Sequence, residues 1–268
     1  MKMNMTRLLT IALAATLIFF TACKKDSKTP PDEISQDIIN QIQAMGFGTE
    51  GMQKLSEGYL VEGDIILTDE NLRNPSTNPS LIIAQEEQYH TFNLVTGLPR
   101  TITVSVASSL SSSVSNAVTA AIARYDAVGG LSINLDRVTT GTGDIHISAA
   151  PSGAGYIASA GFPTSSGNPH NSILFNNAYA TWSANTLASV LAHELGHCIG
   201  YRHTDYMKRR FSCGSGGNEG QTSTGVGAVH IPGTPTGPDA ASWMLACIGN
   251  GIDRPFNAND LIALTYVY

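Results

Sequence analysis

Apolar positions recur first every second residue and then every third or fourth residue along the middle of the chain. In TITVSVA, residues 101–107, three apolar side chains alternate with polar neighbours, which predicts a half-buried strand. The apolar residues that follow keep the spacing of one helical face, namely Val114, Ala117, Val118, Ala121, Ile122 and Tyr125. The pair Gly129–Gly130 ends this predicted helix, because glycine is common just past a helix C-terminus.

The same reading predicts elements on both sides of that helix. Further strands are predicted in GYLVEGDIILT (one strand, 58–68), LSINLDRV (131–138), DIHISAA (144–150), GYIASAGFP (155–163) and SILFNN (172–177). A long helix is expected to begin near Ser183, and a terminal helix after Asn257, with Asp260 placed to complete a capping box. This order of strands and helices predicts an α+β or α/β layered domain.

Before residue 101 the pattern is weaker. IINQIQAMGF, 38–47, predicts a short helix, and NLRNPSTNPS, 71–80, is rich in Asn, Pro and Ser and predicts a loop or linker. A second boundary is expected at 96–99, and little periodicity is visible between 204 and 255.

Composition narrows the class of protein. Of the 268 residues 42% are hydrophobic and 13% are charged, which is typical of a globular protein. The length allows one domain of moderate size and a smaller additional region. The net charge of −6 and the lack of Lys/Arg clusters argue against nucleic acid as a partner.

The first 22 residues read as a targeting segment. A basic start precedes an apolar run that is shorter than the ~20 residues of a membrane-spanning helix. The end of this segment resembles a bacterial lipobox, in which Cys23 becomes the lipidated first residue; an ordinary signal peptide followed by a chance cysteine is the alternative. The polar stretch that follows, within 23–45, then forms a tether. We expect an extracytoplasmic protein, either a cell-envelope lipoprotein or secreted, that meets the membrane only through a lipid on Cys23.

Three cysteines remain after Cys23. Cys213 and Cys247 lie in loop-like sequence and are the favoured pair for one disulfide, whereas Cys198 falls on the apolar side of the long helix. The spacing leaves the connectivity open.

The long helix carries the candidate chemistry, in LASVLAHELGHCIGYRHTD. Residues four apart share one helical face, so His193 and His197 present two imidazoles side by side, while Glu194 lies about 100° round the helix from His193. Gly200 permits a sharp turn that brings His203 back to the other two. Three neutral imidazoles and a water make an open tetrahedral zinc site of the catalytic type, with one ion. A structural histidine cluster is the alternative.

The pattern His193-Glu194-x-x-His197-x-x-Gly200-x-x-His203 resembles the consensus of the metzincin zinc endopeptidases. Ser242-Trp243-Met244 is similar to their Met-turn, and the whole is most similar to the secreted, protease B-like bacterial branch, with matrixin- and astacin-like features. The resemblance covers about residues 98–268.

The resemblance implies an α+β catalytic domain at 98–268, with a twisted mixed sheet, two long helices and a small loop-rich C-terminal subdomain ending in a helix. Met244 would form a hydrophobic floor beneath the histidines. Ala246 stands where astacins have an additional tyrosine ligand, so a site of three histidines and water is expected. Asp205 would either anchor a processed N-terminus or brace its loop.

These expectations define a zinc endopeptidase that acts on protein or peptide substrates, with Glu194 as general base. The alternatives are a catalytically silent zinc-containing surface binding protein and a zinc hydrolase of non-peptide amides. By the same resemblance the substrate would lie extended along an edge strand. Ala158–Ala160 is the candidate; an ordinary edge strand is the alternative. Substrate specificity and oligomeric state cannot be read from the sequence.

VEGDI, 61–65, resembles the Phe-x-Gly-Asp motif of astacin prosegments, without its phenylalanine. The resemblance implies that Asp64 takes the position of the water in a latent chain, and that residues 46–97 form a propeptide. A Gly-Asp turn without such a role is the alternative.

Overall fold

The computed structural model of the protein describes residues 34–73, 88–215, 226–235 and 237–268. Residues 1–22 and Cys23 lie outside this part of the chain, so the expectations of a signal peptide and a lipid anchor remain predictions. Residues 34–268 form one compact unit. Among the described residues, none of the helices combines the length and the apolar composition needed to cross a membrane.

The described residues contain helices and strands in alternating runs. The helices are α1 (Gln36–Ala44), α2 (Asp69–Arg73), α3 (Ser112–Asp126), α4 (Ala184–Ile199), α5 (Arg210–Cys213) and α6 (Ala258–Val267). The strands are β1 (Gln53–Leu55), β2 (Gly58–Val61), β3 (Ile65–Leu67), β4 (Tyr89–His90), β5 (Arg100–Val106), β6 (Ile133–Arg137), β7 (Ile145–Ala149), β8 (Ala158–Ala160), β9 (Ser172–Phe175), β10 (Tyr201–Arg202) and β11 (Val229–His230).

Within the described part of the chain, eight strands form one mixed sheet in the order β1-β2-β3-β8-β9-β7-β5-β6. The pairs β5–β6, β5–β7, β7–β9 and β3–β8 are parallel, whereas β8–β9, β2–β3 and β1–β2 are antiparallel. A second, small antiparallel sheet has the order β10-β4-β11. With α3 and α4 packed against each other and α6 at the C-terminus, this arrangement confirms the predicted α+β class.

The main core lies between the large sheet and the two long helices. Val104 and Ile147 of the sheet and Val118 and Leu191 of the helices are fully buried in one cluster. The hydroxyl of Tyr125 donates to the backbone carbonyl of Ala192 over 2.7 Å, which joins α3 to α4. Because α4 is packed inside this core, its side chains are kept in fixed positions.

Most of the predicted elements after residue 100 are confirmed. Strands β5, β6, β7 and β9 and helix α3 occur where the periodicity places them. Ser183 caps α4 by accepting from the backbone N–H of Thr186, and Asn257 and Asp260 form the predicted capping box of α6. The predicted disulfide Cys213–Cys247 is present, and Cys198 is a buried free thiol.

The prediction of one strand over 58–68 is wrong. Strands β2 and β3 form an antiparallel hairpin with Val61 opposite Ile65, and the chain reverses through residues 62–64. Glu62 and Gly63 have φ values of 56° and 91°, and two consecutive positive φ values are typical of tight hairpin turns. The residue type of Glu62 does not predict this turn, because a glutamate rarely adopts a positive φ.

The predicted loop over 71–80 is also partly wrong, because α2 continues to Arg73; residues 74–87 are outside the described part of the chain. Residues 88–95 lie before the expected boundary at 96–99 and make buried hydrogen bonds with residues near the C-terminus. The side chain of Gln88 donates to Asp260 Oδ1 over 2.6 Å and to Ser242 Oγ over 3.2 Å. The backbone N–H of Val95 donates to the hydroxyl of Tyr268 over 3.0 Å.

One buried histidine outside the metal-binding motif gives the fold a pH dependence. His170 lies before β9, its Nε2 is buried, and no hydrogen-bond partner for that atom exists among the described residues. Burial lowers the pKa of His170 from 6.5 to about 4. Between these pH values the unfolded chain binds a proton at this residue that the native chain does not, so the free energy of unfolding falls as the pH falls.

We therefore expect His170→Leu to reduce the acid sensitivity of the fold. Lowering the pH from 7 to 4.5 should cost the wild-type chain about 2–3 kcal/mol at this residue, and the variant should not show that loss. Urea unfolding at both pH values, with a chelator present throughout, measures the difference. An equal loss of stability in the two proteins would contradict this account.

Candidate metal centre

Helix α4 holds two of the three predicted histidines inside the protein. Every residue from Thr186 to Ile199 is buried, and His193 and His197 occupy one face of the helix. The helix ends at Gly200, which has a φ of 111° and donates its backbone N–H to the carbonyls of Gly196 and His197. This left-handed cap reverses the chain into β10 and brings His203 back to the helix, as the sequence predicts.

The ligand atoms of the three histidines and of Asp64 all lie within 4.8 Å of one another. Nε2 of His197 and Nε2 of His203 are 3.2 Å apart. Oδ2 of Asp64 lies 3.2 Å from Nε2 of His203 and 3.6 Å from Nε2 of His193. Ligands held about 2.0–2.1 Å from a tetrahedral zinc ion are separated by about 3.3–3.4 Å. The three separations given above are close to this value, so the N₃O set is compatible with one four-coordinate site.

Backbone carbonyls orient two of the imidazoles. Nδ1 of His193 lies 3.0 Å from the carbonyl oxygen of Trp243, and Nδ1 of His197 lies 2.7 Å from that of Tyr201. Because a carbonyl accepts only, each Nδ1 carries the proton and each Nε2 presents a lone pair to the centre of the cluster. Burial lowers the pKa of His197 well below its usual range, and the neighbouring His193 and His203 lower it further. The surroundings of His197 therefore favour its neutral imidazole, the form that binds metal.

The Met-turn-like loop packs directly beneath the helix. Met244 is fully buried, and its backbone carbonyl accepts from the N–H of Thr204 over 2.9 Å. A Cβ at Gly196 would lie 2.4 Å from the Trp243 ring and 2.8 Å from the sulfur of Met244. Position 196 therefore requires glycine, and Met244 lies against the helix between the two histidines without belonging to the cluster of ligand atoms.

Glu194 is buried, and no hydrogen-bond partner for its Oε2 exists in the described part of the chain. Burial raises the pKa of Glu194 well above its usual range, and the charge of Asp64 raises it further. Glu194 lines the same cavity as His193. A carboxyl group of this kind is suited to accept and return a proton.

Asp64 enters the cluster from the turn between β2 and β3. Burial alone would raise the pKa of this carboxyl group, but His203, His193 and His197 together hold it well below its usual range. Its backbone carbonyl also accepts from the N–H of Ala160 over 2.9 Å, at the junction of β3 and β8. The carboxylate thus occupies the fourth position of the N₃O set, while β3, which begins at the next residue, extends the large sheet.

A buried ion pair lies beside this turn. Nη2 of Arg202 is 3.7 Å from Oε2 of Glu62, and both side chains are fully buried. The guanidinium also stacks on Phe47 at 4.2 Å from the ring centre and contacts Phe162 at 5.8 Å. The sequence gives no signal for this pair, because its partners are far apart in the chain and each stands at an unspecified position of its motif.

Asp205 braces the Met-turn-like loop, one of the two roles that the sequence left open. Its Oδ1 accepts from the backbone N–H of Ala246 over 3.0 Å, and its Oδ2 accepts from the hydroxyl of Ser212 over 2.6 Å. Ser212 precedes Cys213, so the disulfide to Cys247 reinforces the same connection.

Two histidines outside the motif, which the sequence does not assign to a metal, have other contacts. His146 Nδ1 lies 2.8 Å from Ser105 Oγ on the neighbouring strand, and His230 Nε2 lies 3.0 Å from Thr234 Oγ1. Neither belongs to the cluster around Asp64.

Comparison with known proteins covers solved structures, curated proteins and family models. Two solved structures are similar in part: "Structure of Myroilysin", with 16% identity over 65% of this chain and 82% of that chain, and "Crystal structure of myroilysin", with 14% identity over 88% and 97%. Both superpositions give a TM-score of 0.42. None of the curated proteins compared with the chain matches it.

The family comparison is more extensive. Residues 59–268 match Peptidase M57, described as "Dual-action HEIGH metallo-peptidase". The matched range contains all four residues of the cluster, and residues 193–197 read His-Glu-Leu-Gly-His, with Leu195 where that description has isoleucine. The chain therefore belongs to the Peptidase M57 family and is a metallopeptidase, a hydrolase acting on peptide bonds.

Proposed function

We propose that the protein is a zinc-dependent endopeptidase of the metzincin type, with His193, His197 and His203 as ligands of one catalytic zinc ion. The observation that carries this proposal is the convergence of the three Nε2 atoms beside the buried carboxyl group of Glu194. A structural zinc site would favour four permanent protein ligands, often including cysteine, whereas the fourth ligand here comes from a separate N-terminal hairpin.

When bound, the zinc ion supplies Lewis acidity, which polarises the scissile carbonyl and lowers the pKa of the attacking water. Glu194 accepts the proton of that water and delivers it to the departing amine. The carbonyls of Trp243 and Tyr201 keep His193 and His197 in the orientation that this requires.

We further propose that residues before the catalytic domain keep the chain latent. Asp64 takes the fourth position of the zinc site, and a carboxylate there excludes water from the position that catalysis needs. Strand β3 covers the outer edge of β8, which is the strand proposed to pair with an extended substrate. The buried pair of Glu62 and Arg202 anchors the turn in place.

The boundary of the propeptide is best placed within residues 74–87 rather than at 97. Gln88 contacts both the Met-turn-like loop and α6, and β4 is the middle strand of the small sheet. Removing residues 88–97 would therefore take a strand and several buried hydrogen bonds out of the catalytic domain.

The disulfide between Cys213 and Cys247 supports an extracytoplasmic location, because such bonds persist in oxidising compartments. Attachment through a lipid on Cys23 is part of the same proposal.

We expect Glu194→Gln to abolish proteolysis while leaving zinc binding intact. The full chain, cut by limited trypsin treatment at exposed sites such as Arg73 and then treated with a trypsin inhibitor, should cleave casein. The variant should lose a factor of about 10²–10⁴ in kcat, because the proton transfer loses its base. Zinc content by mass spectrometry should stay at one ion per chain, and a chelator should inactivate the wild type.

Asp136→Asn, which changes an exposed carboxylate far from the cluster, is the matched control and should cleave casein at the wild-type rate. A wild-type chain that binds one zinc ion and cleaves nothing would support the silent binding protein instead.

We expect Asp64→Ala to raise the peptidase activity of the unprocessed chain by at least about tenfold, because the fourth position then becomes accessible to water. Hydrolysis of a quenched fluorescent peptide by the uncut, zinc-loaded protein measures this. Asp69→Ala removes an exposed carboxylate five residues further along and should leave the activity low. Unchanged low activity in Asp64→Ala would count against the latency role.

A further inference from the structure

A cavity of about 320 Å³ opens beside the metal centre, and its walls come from several elements. His193 and Glu194 form the side nearest the ligand cluster. Apolar side chains form most of the remaining wall, namely Val190, Leu245, Ile248, Tyr179 and Ile157. A substrate side chain that enters this cavity therefore belongs to a residue next to the scissile bond.

Two arginines are the positive groups on the wall of this cavity, and three carboxyl groups share it with them. Glu62 and Asp64 belong to the hairpin that the proposed activation removes, and Glu194 serves the metal centre. After activation the wall would keep Arg209 and Arg254 as its charged groups besides Glu194. Arg209 lies next to Gly63, at the hairpin, whereas Arg254 follows the Met-turn-like loop.

The guanidinium of Arg254 is held in place by neutral partners. Its Nη1 donates to the carbonyl of Cys247 over 2.8 Å, and its backbone N–H donates to Ser189 Oγ over 2.9 Å. Its Nε is buried, and no hydrogen-bond partner for that atom exists among the described residues. Burial lowers the pKa of Arg254, and the nearby Asp205 offsets this only in part; both oxygens of Asp205 already accept from Ser212 and Ala246.

A fixed, half-buried guanidinium at the wall of an apolar cavity favours a carboxylate as its ligand, because a charged group away from water is costly unless it is paired. An amide of the same shape offers one neutral oxygen and a nitrogen donor, which arginine cannot accept. The cavity therefore discriminates by charge more than by size.

We propose that Arg254 determines substrate specificity, and that the activated enzyme prefers substrates with an aspartate or glutamate next to the scissile bond, whose side chain enters this cavity. This proposal rests on the proposed endopeptidase function and names the substrate class of the same site.

The test uses the full chain after limited trypsin treatment and trypsin inhibition. Cleavage of a peptide library, analysed by mass spectrometry, first locates the preferred cleavage sites. The kcat/KM is then measured for two matched peptides that have either aspartate or asparagine at the selected position. The kcat/KM for the aspartate peptide should exceed that for the asparagine peptide by at least about tenfold. The ratio should decrease moderately as salt increases, because a half-buried charge is still partly screened.

Arg254→Gln should bring the ratio to within about twofold of one while the asparagine peptide is cleaved at close to the wild-type kcat/KM. Arg254→Lys should retain part of the preference. Arg124→Gln is the matched control, since Arg124 donates to the carbonyl of Arg254, to Ser189 and to Asp253. It anchors the same segment, and it should keep the wild-type ratio.

The outcomes separate the two proposals. If the zinc-loaded, activated chain cleaves no peptide, the endopeptidase function fails and the specificity fails with it. If it cleaves peptides without an acidic preference, or if Arg124→Gln and Arg254→Gln lower the ratio equally, the endopeptidase function stands and the role of Arg254 is overturned.

Discussion

The arrangement of the site depends on one constraint: the Nε2 atoms of three histidines must meet at one point, although two lie on α4 and the third lies beyond the turn that ends this helix. Helical geometry brings His193 and His197 together, but the third nitrogen arrives only because Gly200 adopts a backbone conformation that other residues avoid. The surrounding contacts maintain that reversal. Met244 and Trp243 fill the space beneath Gly196, and backbone carbonyls hold the rings.

The sequence predicted the parts of the site that are local in the chain. The histidine spacing, the turn at Gly200 and the capping box of α6 each depend on residues within a few positions of one another, so a pattern can reveal them. The pairing of Arg202 with Glu62 and the contact of Gln88 with Asp260 join residues more than a hundred positions apart. No periodicity encodes such contacts, and they follow only from the folded chain.

The hairpin of β2 and β3 shows a different limit. Two apolar runs, 59–61 and 65–67, flank residues 62–64, and the turn between them depends on a positive φ at Glu62 that its residue type does not predict. A resemblance limited to Gly63 and Asp64 nonetheless pointed to Asp64, which lies among the histidines. The carboxylate beside the histidines was therefore easier to predict from the sequence than the backbone turn that places it there.

The extension of the large sheet by β1–β3 has a consequence for the reversibility of the proposed activation. While the hairpin is covalently joined to the chain, its local concentration at the edge of β8 is set by the connecting segment and can reach the millimolar range. A cut within 74–87 turns the same pairing into an encounter between two molecules, governed by dilution. The cut changes no contact, but once the released hairpin is diluted into a large volume it does not rebind, so its release is irreversible.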